Sequence, residues 1–112
     1  MAEVPAGTPT AVAPYVRALG VDLTVEVLLE FGGAEIYFSP TSNGRSKLAK
    51  LVGAERAAEL TQKLQAGTRG HRRVPTARRW VAFRLRDRGL PTAEIARRLH
   101  VTDVGLRKWF EA

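Results

Sequence analysis

Apolar residues return at helical spacing through the last third of the chain: Ala77, Trp80, Val81 and Leu85, then Ile95, Ala96 and Leu99, then Leu106 and Trp109. A repeat of three to four residues marks one buried face of an α-helix. The first run predicts a helix from Thr76, as its cap, to Arg88, with Gly89 just past its end and Pro91 in the first turn of the next helix. The two runs between Thr92 and Glu111 have the spacing of a helix-turn-helix. Ile95, Ala96 and Leu99 face Leu106 and Trp109 across a turn holding Val101, and Ala96 is small where the axes approach. His100 falls where the turn needs a left-handed backbone, a modest cost for histidine. Thr102 is placed to cap the last helix.

The earlier pattern is also mainly helical. Residues 1–9 hold two prolines and a glycine without periodicity and read as a tail. Val12, Val16 and Leu19 predict a helix over 10–19, with Pro14 in its first turn and Gly20 ending it. Asp22 is the expected cap of a second helix to Phe31, burying Val25, Leu28 and Leu29 and stopped by Gly32-Gly33. Residues 34–39, Ala-Glu-Ile-Tyr-Phe-Ser, read as a short strand closed by Pro40. A turn over Thr41–Gly44 and helices over Arg45–Val52 and Ala54–Gln65 follow. The expected class is therefore mainly α, with one or two short β-strands in the N-terminal part and a tri-helical C-terminal domain over 76–112. Between the helical part, 10–67, and that domain lies a basic connector, 68–75.

An internal repeat runs through the helical part. At an offset of 33, Val16 meets Ala49, Leu19 meets Val52, Gly20 meets Gly53, Val25 meets Ala58, Glu26 meets Glu59, Val27 meets Leu60 and Phe31 meets Leu64. With two residues inserted, Pro40 meets Pro75. Each copy reads helix, glycine, helix, corner, extended segment, proline, which would give two halves related by pseudo-symmetry.

Charge separates the two parts. The net charge is +7, but residues 1–67 carry six Lys/Arg against seven Asp/Glu, while residues 68–112 carry twelve against four. Eleven of those twelve cations are arginine, whose planar fork matches phosphate and guanine. That split points to an assembly part joined to a part that meets double-stranded DNA. With the packing positions assigned, Asp103, Val104, Arg107, Lys108 and Glu111 are left to project outward, and Thr102, as the cap, puts its hydroxyl and the first free amides near a DNA phosphate. Arg107 or Lys108 can reach guanine and Val104 a thymine methyl. Arg78, Arg79, Arg84, Arg86 and Arg88 remain around the other faces of their helix, and some of them, Arg78 and Arg79 first, are expected on phosphate, where they add affinity without reading sequence. Arg72 and Arg73, in the segment Arg69–Arg73, fit either an arm entering a minor groove or an edge strand whose charge discourages aggregation.

Other chemistry finds little purchase. Cysteine is absent, the two histidines stand 29 residues apart, and no phosphate-cradling loop is present, so no catalytic residue, metal or cofactor is expected. Helical spacing puts Glu26 and Glu30 on a solvated face, away from convergence with Glu35. The first ten residues lack the basic and apolar regions of a signal peptide, and no apolar run reaches a membrane span of about 18 residues. A cytoplasmic, nucleoid-associated protein without a membrane partner is expected.

The segment Phe31-Gly32-Gly33-Ala34-Glu35-Ile36-Tyr37-Phe38-Ser39-Pro40 resembles the Phe-Gly-Gly-x-x-Ile-Tyr-x-Pro stretch of the Mor/C transcription activators of Mu-like phages. As in that family, it follows a helical region and precedes a C-terminal helix-turn-helix. The resemblance implies a homodimer whose short strands pair across subunits, a sequence-specific regulator of phage or prophage genes, an activator that contacts RNA polymerase. It also implies that Gly32, Gly33 and Tyr37 face DNA near the dyad. The chain departs from the family in three places. A second helical unit, Arg45–Pro75, is inserted, Thr41 replaces the lysine after the strand proline, and His71-Arg72-Arg73-Val74 stands where a second aromatic strand would be. Tyr37 and the Arg72-Arg73 pair are thus competing candidates to approach DNA. The repeat adds an alternative to the homodimer, in which both strands pair within one chain. Two other functions share the same features: DNA recognition for packaging, as by a small terminase subunit, and a protein-interaction module or anti-repressor whose basic half meets an acidic partner.

Overall fold

A computed structural model describes residues 3–38, 46–65 and 70–111 of the chain. It is mainly α-helical with a two-stranded antiparallel sheet. Two compact units divide at Thr76/Ala77. The turn over Thr41–Gly44, Ser39 and Pro40 at the strand end, and Arg45 and Arg69 lie outside the described residues.

The N-terminal unit begins with α1, Ala13–Phe31, which breaks at Gly20 (φ 81°, ψ 168°). The break falls where the sequence pattern predicts it, and Pro14 sits in the first turn. Two details differ. The first segment starts at Ala13 instead of Thr10, because Val12 and Ala13 bond back to the Pro9 carbonyl. Asp22 does not cap the second segment but lies inside its first turn, since the helix resumes directly after Gly20. The Gly20 carbonyl accepts the Thr24 hydroxyl at 2.7 Å, which satisfies a buried polar side chain. Val25 and Leu28 are buried as expected, joined by Val27, whereas Leu29 is half-buried.

Strand β1, Glu35–Phe38, follows the Gly32-Gly33 corner. Gly32 is held to glycine by close approach: a Cβ there would collide with the Leu28 carbonyl and lie 3.2 Å from that of Pro75. Helix α2, Lys47–Val52, starts at Ser46, whose hydroxyl accepts the Ala49 amide at 3.0 Å. Gly53 separates it from α3, Ala54–Gln65. The expected basic connector contains a second strand, β2, Gly70–Arg73. It pairs antiparallel with β1, matching Ile36 with Arg72 and Tyr37 with His71. Val74 donates to Ala34 at 2.9 Å and accepts from Gly33 at 2.8 Å, so the ladder continues past the strand ends. Within the segment Arg69–Arg73, residues Gly70–Arg73 thus form a paired strand.

α1 packs on α3, and α2 packs on both. Their shared core holds Val16, Val25, Val27, Phe38, Leu60 and Val74, each 1% exposed or less. Burial of each such side chain stabilises the fold by roughly 1.5–3 kcal/mol. Arg56 donates to the Leu19 carbonyl at 3.1 Å, one of the acceptors that the Gly20 break leaves without a helical partner.

The C-terminal unit is a tri-helical cluster of α4, Arg78–Asp87, α5, Thr92–Leu99, and α6, Asp103–Glu111. Val81, Leu85, Ile95 and Leu106 are 1% exposed or less and form its centre, with Ala96 buried at the crossing. Thr76 does not cap α4. The preceding residue is Ala77 in a left-handed conformation (φ 43°), which rotates the chain into the helix without a side-chain cap. Past Arg88, Leu90 donates to Leu85 and Gly89 to Arg86, a paired closure of the last turn. Pro91 precedes α5 in an extended conformation instead of lying in its first turn. No helix among the described residues is long and apolar enough to cross a membrane.

Candidate nucleic-acid interface

Helix α6 owes its exposed face to the way its start is fixed. His100 takes the left-handed conformation expected of it (φ 56°, ψ 42°) and closes α5, with Val101 donating to Ala96 at 3.1 Å. Two residues later the Thr102 hydroxyl accepts the Gly105 amide at 3.0 Å, the expected N-cap. The turn between the helices is therefore bonded at both ends. Leu106 is fully buried. Since side chains three and four apart share a helical face, burying Leu106 turns Val104, Arg107, Lys108 and Glu111 outward.

All of these outward residues, with Thr102 and Asp103, are exposed, and Val104 is 59% accessible. The stripe is about 14 Å long for a helix of nine residues. It offers a methyl-bearing group, two cations and two carboxylates. Arg107 donates from Nε to the Asp103 carbonyl at 3.4 Å. That contact uses Nε and not the two terminal nitrogens, the pair able to meet guanine O6 and N7 side by side. Asp103 stands in the first turn, where a carboxylate is favoured by the helix dipole.

The arginines of α4 divide by environment. Arg78 and Arg79 are exposed at its start, as expected of phosphate-facing residues. Arg84 is largely withdrawn: its guanidinium lies 5.8 Å from the Trp80 ring and 3.4 Å from Asp87, and its side chain is 24% exposed. Arg86 stacks on Phe110 with its guanidinium 4.7 Å from the ring centre. Arg84 is thereby drawn against the cluster, while Arg86 covers an aromatic ring and stays exposed.

Arg97 and Arg98 escaped the apolar-face reading of the sequence. Both are exposed on α5 and share Glu94, Arg98 at 3.3 Å and Arg97 closer still. The spacing of one carboxylate three and four residues ahead of two arginines was the available signal. One shared carboxylate leaves the pair with a net positive charge. The unit 77–112 carries nine Lys/Arg against four Asp/Glu, a net of +5.

The remaining candidates belong to the N-terminal unit. Tyr37 is half exposed in β1. Its neighbours across the ladder place Glu35 and Arg73 on the same face of the ribbon, since alternate residues of a strand share a face. Arg73 donates to the Gly33 carbonyl at 2.6 Å and stands 4.0 Å from the Glu35 carboxylate. Arg72 points to the other face, where its charge acts on Tyr15. Burial pushes the Tyr15 phenol up to about 12, and the Arg72 guanidinium pulls against that shift. Tyr37, Arg72 and Arg73 therefore share one ribbon, while Arg78, Arg79, Thr102, Asp103, Val104, Arg107 and Lys108 share the helical cluster. No family model, curated protein or solved structure matches the chain.

Proposed function

We propose that the chain is a sequence-specific DNA-binding regulator that reads duplex DNA with α6, and that it activates phage or prophage genes as the Mor/C-like segment implies. The observation that carries the reading is the exposed stripe Val104–Arg107–Lys108 on a helix whose start is fixed by Thr102. A helix of this kind, preceded by a second helix across a tight turn, fits the major groove. Its side chains supply a guanine-matching fork and a contact for a thymine methyl. Arg78, Arg79, Arg97 and Arg98 add phosphate contacts around it. This reading carries a cytoplasmic, nucleoid-associated location and RNA polymerase as a further partner. It assigns no catalytic residue.

Selection of bound sites from random duplexes, followed by footprinting, tests the proposal. One enriched motif is expected. Arg107→Ala should relax the preference at one base position, whereas Arg78→Ala should weaken every sequence alike and lower the salt slope by about one. Affinity without an enriched motif would transfer the weight to packaging, and no affinity for any duplex at low salt to an acidic protein partner.

A further inference from the structure

The N-terminal unit contains one device twice. Gly20 separates the two segments of α1, and Gly53 separates α2 from α3, in nearly the same conformation: φ 81°, ψ 168° and φ 95°, ψ 151°. That region of backbone space is open to glycine almost alone. Burial repeats at the offset of 33 found in the sequence. Tyr15, Val16 and Leu19 are buried before the first glycine, and Leu48, Ala49 and Val52 before the second. Thr24, Val27 and Leu28 are buried after the first, and Ala57, Leu60 and Thr61 after the second. Each copy then runs into a strand.

The two strands close the relationship. With the two inserted residues, Ile36 corresponds to His71 and Tyr37 to Arg72. The observed pairs are Ile36 with Arg72 and Tyr37 with His71. Exchanging the two copies turns each pair into the other, which is the signature of a two-fold axis through the ribbon. The two copies therefore meet strand to strand within one chain. Such a link replaces the translational and rotational cost of association with the smaller cost of closing a loop.

We infer that this unit is an internally duplicated pseudo-dimer, that the chain is a monomer in solution, and that it engages DNA as a single copy at a site without inverted symmetry. The last clause rests on the DNA-binding reading above; the first two do not. Exposed large apolar side chains among the described residues are Tyr37, Leu51 and Val104, on three different elements. The duplication stops at the ribbon: the first copy leads into α2 and the second into α4, so the described residues hold one helix-turn-helix. Two-fold proteins of this class read paired half-sites about 34 Å apart, whereas one reading helix calls for one site.

The absence of cysteine allows a direct test in the full chain. Cysteine pairs Ile36→Cys/Arg72→Cys and Tyr37→Cys/His71→Cys occupy adjacent register positions, one of which has the closer spacing of a non-hydrogen-bonded pair. Under mild oxidation at micromolar concentration, at least one pair should form a disulfide within a species of single-chain mass, and no single-cysteine variant should. Disulfide-linked dimers alone would overturn the pseudo-dimer. Sedimentation of the unmodified chain should give the mass of one chain, and an obligate dimer would overturn the monomer. On DNA, a one-to-one complex with a motif lacking a palindrome is expected. A two-to-one complex on an inverted repeat would overturn this inference while upholding the DNA-binding reading. No enriched motif would remove that reading, and the asymmetric site with it, leaving the cross-link and sedimentation results to decide the pseudo-dimer.

Discussion

Phe83 of α4 and Phe110 of α6 meet edge to face, with ring centroids 5.2 Å apart and planes at 73°. The Arg86 guanidinium lies 4.7 Å from the centre of the Phe110 ring, and that of Arg79 lies 5.9 Å from the centre of the Phe83 ring. Helix α6 has nine residues, too few to persist alone in water. Leu106 anchors its inner face, and Phe110 ties its last turn to α4. The edge-to-face pair sets the angle at which the exposed stripe is presented.

Phe110→Ala should therefore lower the stability of the C-terminal unit by about 2 kcal/mol, less than a fully buried phenylalanine because both rings are half-buried. Both tryptophans, Trp80 and Trp109, lie in this unit, so urea unfolding of the full chain followed by tryptophan fluorescence reports on it directly. A cycle with Phe83→Ala should show a coupling of about 1 kcal/mol. Additive losses would mean that the rings touch without interacting.

His100→Gly should stabilise the same unit. His100 is exposed and holds φ 56°, a left-handed backbone that costs a side chain roughly 1 kcal/mol. Glycine removes that cost but adds freedom to the unfolded chain, so a net gain of about 0.5 kcal/mol is expected in the tryptophan-monitored transition. His100→Val, with a β-branched side chain, should lose at least 1 kcal/mol. A gain for valine would show that the turn does not hold its left-handed geometry in solution.

Which features the sequence made legible follows from how local their causes are. The Gly20 break, the span of α3, the left-handed His100 and the Thr102 cap all depend on residues within one turn of themselves. The features that escaped depend on partners far along the chain. Gly-His-Arg-Arg is a poor strand former by propensity, and β2 exists because β1 offers it a ladder 35 residues upstream. Thr76 was the best local cap, yet Ala77 turns left-handed ahead of α4. Phe83 and Phe110 lie off the apolar stripe that fixes each helix, so periodicity alone could not pair them. The candidate site divides the same way: spacing identified the exposed face of α6, but not that Arg84 and Arg86 would be engaged by Trp80 and Phe110.

The duplicated glycines give a third prediction. Gly20→Ala and Gly53→Ala should each destabilise the N-terminal unit by about 1–3 kcal/mol, although a Cβ at either position meets no atom within 4 Å. The cost is conformational, not steric crowding. Far-UV circular dichroism against temperature should show similar losses for the two variants, as equivalent positions of one repeat require. A neutral Gly53→Ala would mean that the α2–α3 junction tolerates another conformation and that the two copies differ.

Tyr15 supplies the dependence on pH. Its phenol is raised from 10 to about 12 in the folded chain, chiefly by burial and in spite of Arg72. Below pH 10 both folded and unfolded states keep the proton, and the stabilisation from the buried neutral ring is fully present. Between 10 and 12 the unfolded state has lost that proton while the folded state still holds it, so stability falls as pH rises. The slope attributable to this one group approaches about 1.4 kcal/mol per pH unit, for a total on the order of 3 kcal/mol across the window. Denaturant unfolding of the full chain, followed by far-UV circular dichroism at steps through this range, should show the loss. Tyr15→Phe removes the ionisable group, so its stability should stay flatter from pH 10 to 12 once the shared titrations of both proteins are subtracted. Arg72→Gln removes the opposing charge and should extend the window upward. Identical pH profiles for the parent chain and Tyr15→Phe would show that the buried phenol does not limit alkaline stability.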